Sequence, residues 1–184
     1  MLRFPNIKTP LLRNLLLILV SCLATASVAA EAPRQRIEQA VLSARAGDYV
    51  QAIRELERLR TEFPGDQRVV YDLAVVYAWH QQYTQAVAAA EGVAMAQAPA
   101  YVVEAVAKAA RGAGRFDLAL RYYRLLLERS PGHKEALLGL AYSYADRGDW
   151  RAAEQPLAQL QERYPDDLSV LPGRAYVDRV GGHT

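Results

Sequence analysis

Chemistry in a protein chain needs reactive side chains at workable spacings, and this sequence offers few of them. Its three histidines, His80, His133 and His183, lie far apart, and no two share a helical ligand spacing. His80 reads as a helix-end residue and His133 as a loop residue. The run Gly112-Ala113-Gly114 between Arg111 and Arg115 suggests a phosphate cradle. It follows a helical stretch rather than a strand, however, and lacks the lysine that a P-loop sets against phosphate. Asp166-Asp167 follows Pro165 in a turn, which solvates both carboxylates instead of pairing them for acid–base work. There is no HExxH pair and no nucleophile elbow. The expectation is a non-enzyme with no cofactor and no metal site.

Composition narrows the remaining classes. Of 184 residues 52% are apolar, enough to fill the core of one ordinary domain and too many for a disordered tail. The single cysteine, Cys22, excludes a disulfide framework and a cysteine-based zinc site. The net charge of +2 invites nucleic acid or a membrane surface as partner, until the basic residues are located. Arg3, Lys8 and Arg13 precede an apolar run, Leu15 to Val20, and then a small-residue stretch ending Val28-Ala29-Ala30 before Glu31. That order is a secretory signal peptide over residues 1–30. The apolar core is far shorter than the roughly 20 residues of a membrane span. Without the signal, 19 basic residues face 20 acidic ones, and the nucleic-acid reading falls. A rival reading takes Leu19-Val20-Ser21-Cys22 as a lipobox with acylation at Cys22. The apolar character of 23–30 favours soluble secretion, and either route takes the mature chain out of the cytoplasm.

The elements that would position any functional residue are written as a repeat. Tyr49, Tyr83, Phe116 and Trp150 recur 34, 33 and 34 residues apart. Each is followed three residues later by an alanine, Ala52, Ala86, Ala119 and Ala153, and twelve residues before each of these lies another, Ala40, Ala74, Ala107 and Ala141. Pro64, Pro99, Pro131 and Pro165 close the units. A period of this length belongs to paired-helix solenoids and resembles the tetratricopeptide repeat. The resemblance implies an all-α, right-handed solenoid of about four hairpins plus a partial fifth. The array is expected over 31–184, with repeats at about 33–66, 67–99, 100–133 and 134–167 and a partial unit at 168–184.

The helices expected are 34–46 with 49–62, 67–80 with 83–96, 101–113 with 116–129, and 134–147 with 150–163. Gly47, Gly114 and Gly148 fall at the hairpin turns, where a left-handed residue is needed. Pro156 is expected to kink the last of these helices. Larger residues at a late position that the family fills with alanine (Leu59, Val93, Leu126, Leu160) suggest looser or differently angled packing between units. Asp167 to Val180 reads as the first helix of a fifth repeat, with Leu171, Ala175 and Val180 as its apolar positions. It is either a cap or, as favoured, the start of a unit continuing beyond Thr184 in a longer protein.

In the tetratricopeptide family the first helices build a concave face. Carried over, that implies Arg34, Val41 and Arg45 in the first repeat, then Arg68, Tyr71, Val75 and Trp79 in the second. Tyr101, Glu104, Lys108 and Arg111 follow in the third, and Glu135, Leu138, Tyr142 and Asp146 in the fourth. The alternative for Tyr71 and Tyr142 is packing between helices. Further runs, Tyr71-Asp72-Leu73-Ala74-Val75-Val76-Tyr77-Ala78-Trp79 and Ala100-Tyr101-Val102-Val103-Glu104-Ala105-Val106-Ala107-Lys108-Ala109, are similar to the periplasmic region of the poly-β-1,6-N-acetylglucosamine export porin of biofilm formers. Gly139-Leu140-Ala141 and Arg174-Ala175-Tyr176-Val177 share that similarity.

The porin resemblance implies an exopolysaccharide-export scaffold that binds a periplasmic protein, the polysaccharide deacetylase, or the partly deacetylated polymer itself. Glu104, Glu135 and Asp146 would meet amines, and Trp79, Tyr101 and Tyr142 would stack on sugars. The early arginines fit an acidic protein surface better. Outer-membrane association would come through a β-barrel that this sequence lacks, or through a lipid on Cys22. The other reading is a general envelope-assembly adaptor or repeat lipoprotein acting through protein–protein interaction.

Overall fold

The computed structural model describes residues 33–182, so the expected signal peptide, its cleavage site, Cys22 and His183 lie outside the described residues. Within them there are nine α-helices and no strand. The first, α1, covers 33–45. It is followed by α2 (Tyr49–Glu62), α3 (Gln67–Trp79), α4 (Tyr83–Ala89) and α5 (Ala100–Gly112). Then come α6 (Phe116–Arg129), α7 (Lys134–Asp146), α8 (Trp150–Arg163) and α9 (Leu171–Val180). Successive helices pack as hairpins, and the first helices line up, α3 against α5 and α5 against α7. None of these helices is long and apolar enough to cross a membrane.

The alanine pairs explain why the hairpins close. Ala74, Ala107 and Ala141 in first helices and Ala52, Ala86, Ala119 and Ala153 in second helices are at most 1% exposed, and Ala40 is 4%. A larger side chain there would push the two axes apart. Between them sit the large buried residues Leu56, Leu73, Leu120, Leu126 and Leu160. The turns follow the same logic. Gly47, Gly114 and Gly148 have φ of 94°, 73° and 93°, a region costly for any residue with a Cβ. Repeat two departs: Gln81 holds the equivalent place at φ 60°. Asp48 and Asp66 cap the following helices by accepting the Gln51 and Arg68 amides at 3.1 and 3.0 Å. Phe63, Ser130 and Tyr164 end α2, α6 and α8 just before a proline, as expected.

Two expectations need correction. The second helix of repeat two stops at Ala89 instead of running to 96. Gly92 turns the backbone to φ 81°, and the chain then packs Met95 and Ala98 into the core without helical order. Arg129, at the end of α6, fixes this irregular stretch by donating to the carbonyls of Met95 (2.8 Å) and Ala98 (2.7 Å). At the far end, Leu168–Val170 forms a 3-10 turn before α9 starts. There the buried positions are Gly173 and Val177, whereas Leu171 and Val180 are 60% and 45% exposed. The packing face is set by Gly173, whose missing side chain lets Leu138 approach. Pro156 lies inside α8, buried beside Leu157, and the helix continues on both sides of it.

Two phenols stay neutral far into the alkaline range. Burial pushes Tyr123 up to about 12. Burial, helped by the Glu57 carboxylate that accepts its hydroxyl at 2.7 Å, pushes Tyr77 up to about 12. The folded state thus prefers both groups protonated. Their contribution to stability is whole below the ordinary phenol value near 10 and disappears as pH climbs through about 12. In an absorbance titration of the eleven tyrosines, the last ionisations should fall near pH 12 and accompany loss of helix. Complete titration near pH 10 with the helices intact would contradict their burial.

Candidate recognition groove

On α3, Arg68, Asp72, Val75 and Trp79 lie on one face by helical spacing, as do Tyr101, Glu104 and Lys108 on α5. Where α1, α3 and α5 run side by side these faces join into one groove. Its centre is a pocket of about 170 Å³ between Val41 and Arg45 of α1, Asp72, Val75 and Trp79 of α3, and Tyr101 of α5. To one side it opens into a wider space of about 640 Å³ bordered by Arg34, Glu38, Leu42 and Arg68. To the other side it opens into a cleft of about 440 Å³ bordered by Tyr49, Gln81, Tyr83, Glu104 and Lys108. Trp79 and Tyr101 stand between these spaces and remain 41% and 54% exposed. Large aromatic rings left open at the centre of a concave surface are typical anchors for a bound partner.

The charges along the groove are unevenly committed. Arg68 pairs with Asp66 at 2.6 Å. Arg34, Arg45 and Lys108 are exposed and have no ion pair with any described residue. Asp72 accepts from the Tyr101 hydroxyl at 3.3 Å, and burial holds its carboxyl above the ordinary carboxylate range in spite of that bond and of Arg45 and Arg68 nearby. His133, which caps α7 by accepting the Ala136 amide, lies 3.7 Å from Glu104 and 3.5 Å from Glu135.

The expected site residues therefore divide. The structure brings Arg34, Arg45, Arg68, Trp79, Tyr101, Glu104 and Lys108 into one continuous groove. It does not bring Arg111, Tyr142 and Asp146 there. Arg111 pairs with Asp146 at 3.0 Å and sits 5.0 Å from the centre of the Tyr142 ring. Tyr142 meets Tyr176 of α9 edge-on at 5.1 Å, and the Tyr176 hydroxyl donates to Asp146. That set ties α5, α7 and α9 together with its own contacts. Glu135 stands apart beside His133. Tyr71 is buried, with its hydroxyl donating to Gln67 at 3.2 Å, which is the packing alternative raised for it.

Six groove residues were missed from the sequence, Glu38, Leu42, Tyr49, Asp72, Gln81 and Tyr83, and two of them had a signal. Asp72 was signalled by its place one turn after Arg68 and two turns before Trp79. Gln81 was signalled by being a side chain where the other hairpins have glycine.

Comparison with known proteins agrees with this architecture. The chain resembles a tetratricopeptide repeat protein from Parabacteroides merdae, with 21% identity and a TM-score of 0.65. That match covers 83% of this chain, which spans only 61% of the other protein. MamA from Desulfovibrio magneticus RS-1 matches at 20% identity and a TM-score of 0.65, over 73% of this chain and 78% of its own. TTC0263, a thermophilic repeat protein of Thermus thermophilus, matches at 19% and 0.59, over 82% and 84%. At these identities the likeness concerns the fold. No curated protein matches by sequence. The family model for the tetratricopeptide repeat matches residues 43–109 and 110–171, a continuous stretch through α2 to α8. With most of its length under that model and its helices paired at the same period, the chain belongs to the tetratricopeptide repeat family.

Proposed function

We propose that this protein is a non-enzymatic periplasmic scaffold whose α1–α3–α5 groove holds a segment of a partner protein in an exopolysaccharide-export system. Repeats of this family are generally scaffolds suited to protein–protein interaction, and the partner implied by the porin resemblance is the polysaccharide deacetylase. The observation carrying the reading is the groove itself: two open aromatic rings flanked by Arg34, Arg45 and Lys108, which have no ion pair with a described residue. Direct contact with a partly deacetylated polymer is a second reading, supported by the same rings with Glu104 at the cleft. Asp146 and Tyr142 no longer serve it, because each is engaged within the array.

The test is a photo-crosslinking residue placed in cells at Tyr101 and, as control, at Val50, which is 59% exposed on the second helix α2. A discrete envelope protein should be trapped from Tyr101 and not from Val50, and Trp79→Ala should cut that yield at least tenfold. Equal trapping at both places would sink the groove. Calorimetry with partly deacetylated glucosamine oligomers decides the polymer reading. Mass spectrometry of the mature N-terminus separates a free Glu31, expected for the export scaffold, from an acylated Cys22, expected for a general envelope adaptor.

A further inference from the structure

Within the groove the carboxylate of Asp72 is only partly answered. One of its oxygens accepts a single long bond, from the Tyr101 hydroxyl at 3.3 Å, and it has no ion pair with a described residue. Arg68, one turn earlier on the same helix, is held by Asp66 at 2.6 Å. Arg45 borders the same pocket from α1 without reaching ion-pair distance. A charge removed from water without a matching partner is costly, and a guest that supplied one would recover that cost on binding.

The walls decide the sign of the guest. Trp79 and Tyr101 present aromatic rings to the pocket, and ring faces attract cations and repel anions. The carboxylate makes the same selection, opposed by the charge of Arg45 on the α1 side of the pocket. Between the two biological cations, a guanidinium is flat, weakly hydrated and able to grip a carboxylate with two donors, whereas an ammonium is a strongly hydrated point charge. The small, half-enclosed volume of about 170 Å³ suits one side chain rather than a surface. We propose that this pocket between α1, α3 and α5 seats an arginine side chain of the bound protein segment, its guanidinium paired with Asp72 and set against Trp79 and Tyr101. The proposal rests on the reading that the groove holds a protein segment, and it names the residue that segment must supply.

The chain has two tryptophans, and only Trp79 borders the pocket, while Trp150 begins α8 and serves as an internal reference. In a titration of the ¹⁵N-labelled protein with N-acetylarginine N-methylamide, the Trp79 indole resonance should move saturably and that of Trp150 should not. The citrulline counterpart, equal in shape and uncharged, should leave Trp79 in place. Asp72→Asn, which keeps the side-chain shape and an oxygen for Tyr101, should weaken arginine at least tenfold with an unchanged melting temperature. Equal binding of citrulline, or undiminished binding to Asp72→Asn, overturns the proposal. So does glucosamine shifting Trp79 as strongly as arginine, which would place an amino sugar in the pocket. No response to arginine while crosslinks from Tyr101 persist removes the pocket and leaves the scaffold. Loss of the crosslinks with arginine binding retained removes the scaffold reading instead.

Discussion

Replacing Gly139 with alanine should lower the melting temperature by several degrees, although the exchange swaps a poor helix former for the best one. In an open helix the substitution would gain about 1 kcal/mol. Gly139 lies inside α7, and a Cβ built there would stand 2.1 Å from the Cζ and 2.3 Å from the Cε1 of Tyr123. The ring cannot swing away, since Tyr123 is 4% exposed and packed in the core formed with Leu120, Leu126 and Val103. The backbone is pinned too, because the buried Ser143 hydroxyl donates to the Gly139 carbonyl at 2.7 Å. Overpacking of this kind costs about 1–3 kcal/mol, sometimes more, so the clash outweighs the propensity gain. At about 2–4 °C per kcal/mol for a chain of this size, the shift is readily measured by calorimetry. Gly65→Ala, where a Cβ meets open space, should move the midpoint little. In a Tyr123→Ala background the same Gly139→Ala change should become neutral or stabilising. A Gly139→Ala protein that melts with the parent would show that α6 and α7 are spaced more widely than described.

That collision illustrates what the sequence made legible and what it did not. Residue types that answer a unique steric demand were readable: alanine where helices cross, glycine at a left-handed turn, proline after a helix end. Each has few substitutes, so its spacing exposed the array. Trp79 and Tyr101 were readable for the same reason, through their register within the repeat. Gly139 was readable as a residue but not as a contact, because its partner Tyr123 belongs to the preceding hairpin. The Arg111–Asp146 pair was lost in the same way. The two residues stand one repeat apart, and opposite charges at that separation were the available signal that the groove ends there. The shortened α4 was hidden because the alanine-rich stretch from 83 to 91 suits a helix locally, and only Gly92 marks the break. The course of the chain beyond that glycine is decided by a contact from more than thirty residues away.

That contact carries the second large effect. Arg129→Met should destabilise the array by about 2 kcal/mol and loosen one stretch in particular. Methionine keeps most of the side-chain length and apolar stem while removing every donor. The two bonds it deletes end on the carbonyls of Met95 and Ala98, whose residues are 5% and 2% exposed. Hydrogen bonds from a charged donor contribute about 1.5–3 kcal/mol each, and a carbonyl left facing protein keeps its desolvation cost. The Met95 carbonyl retains a second donor, the Ala98 amide at 3.2 Å, so the Ala98 carbonyl loses more. Arginine is needed for geometry as well as charge, since one planar fork reaches two carbonyls at once. Arg129→Lys should therefore recover only part of the loss. Urea unfolding measures the total. Amide exchange locates it, with protection expected to fall first between 90 and 99, before α6 or α7 opens. Because this segment joins the hairpin bearing Trp79 to the helix bearing Tyr101, loosening it should also weaken capture from the groove without touching a groove residue. An unchanged midpoint together with unchanged exchange in that stretch would mean that the segment is held by Met95 and Ala98 burial alone.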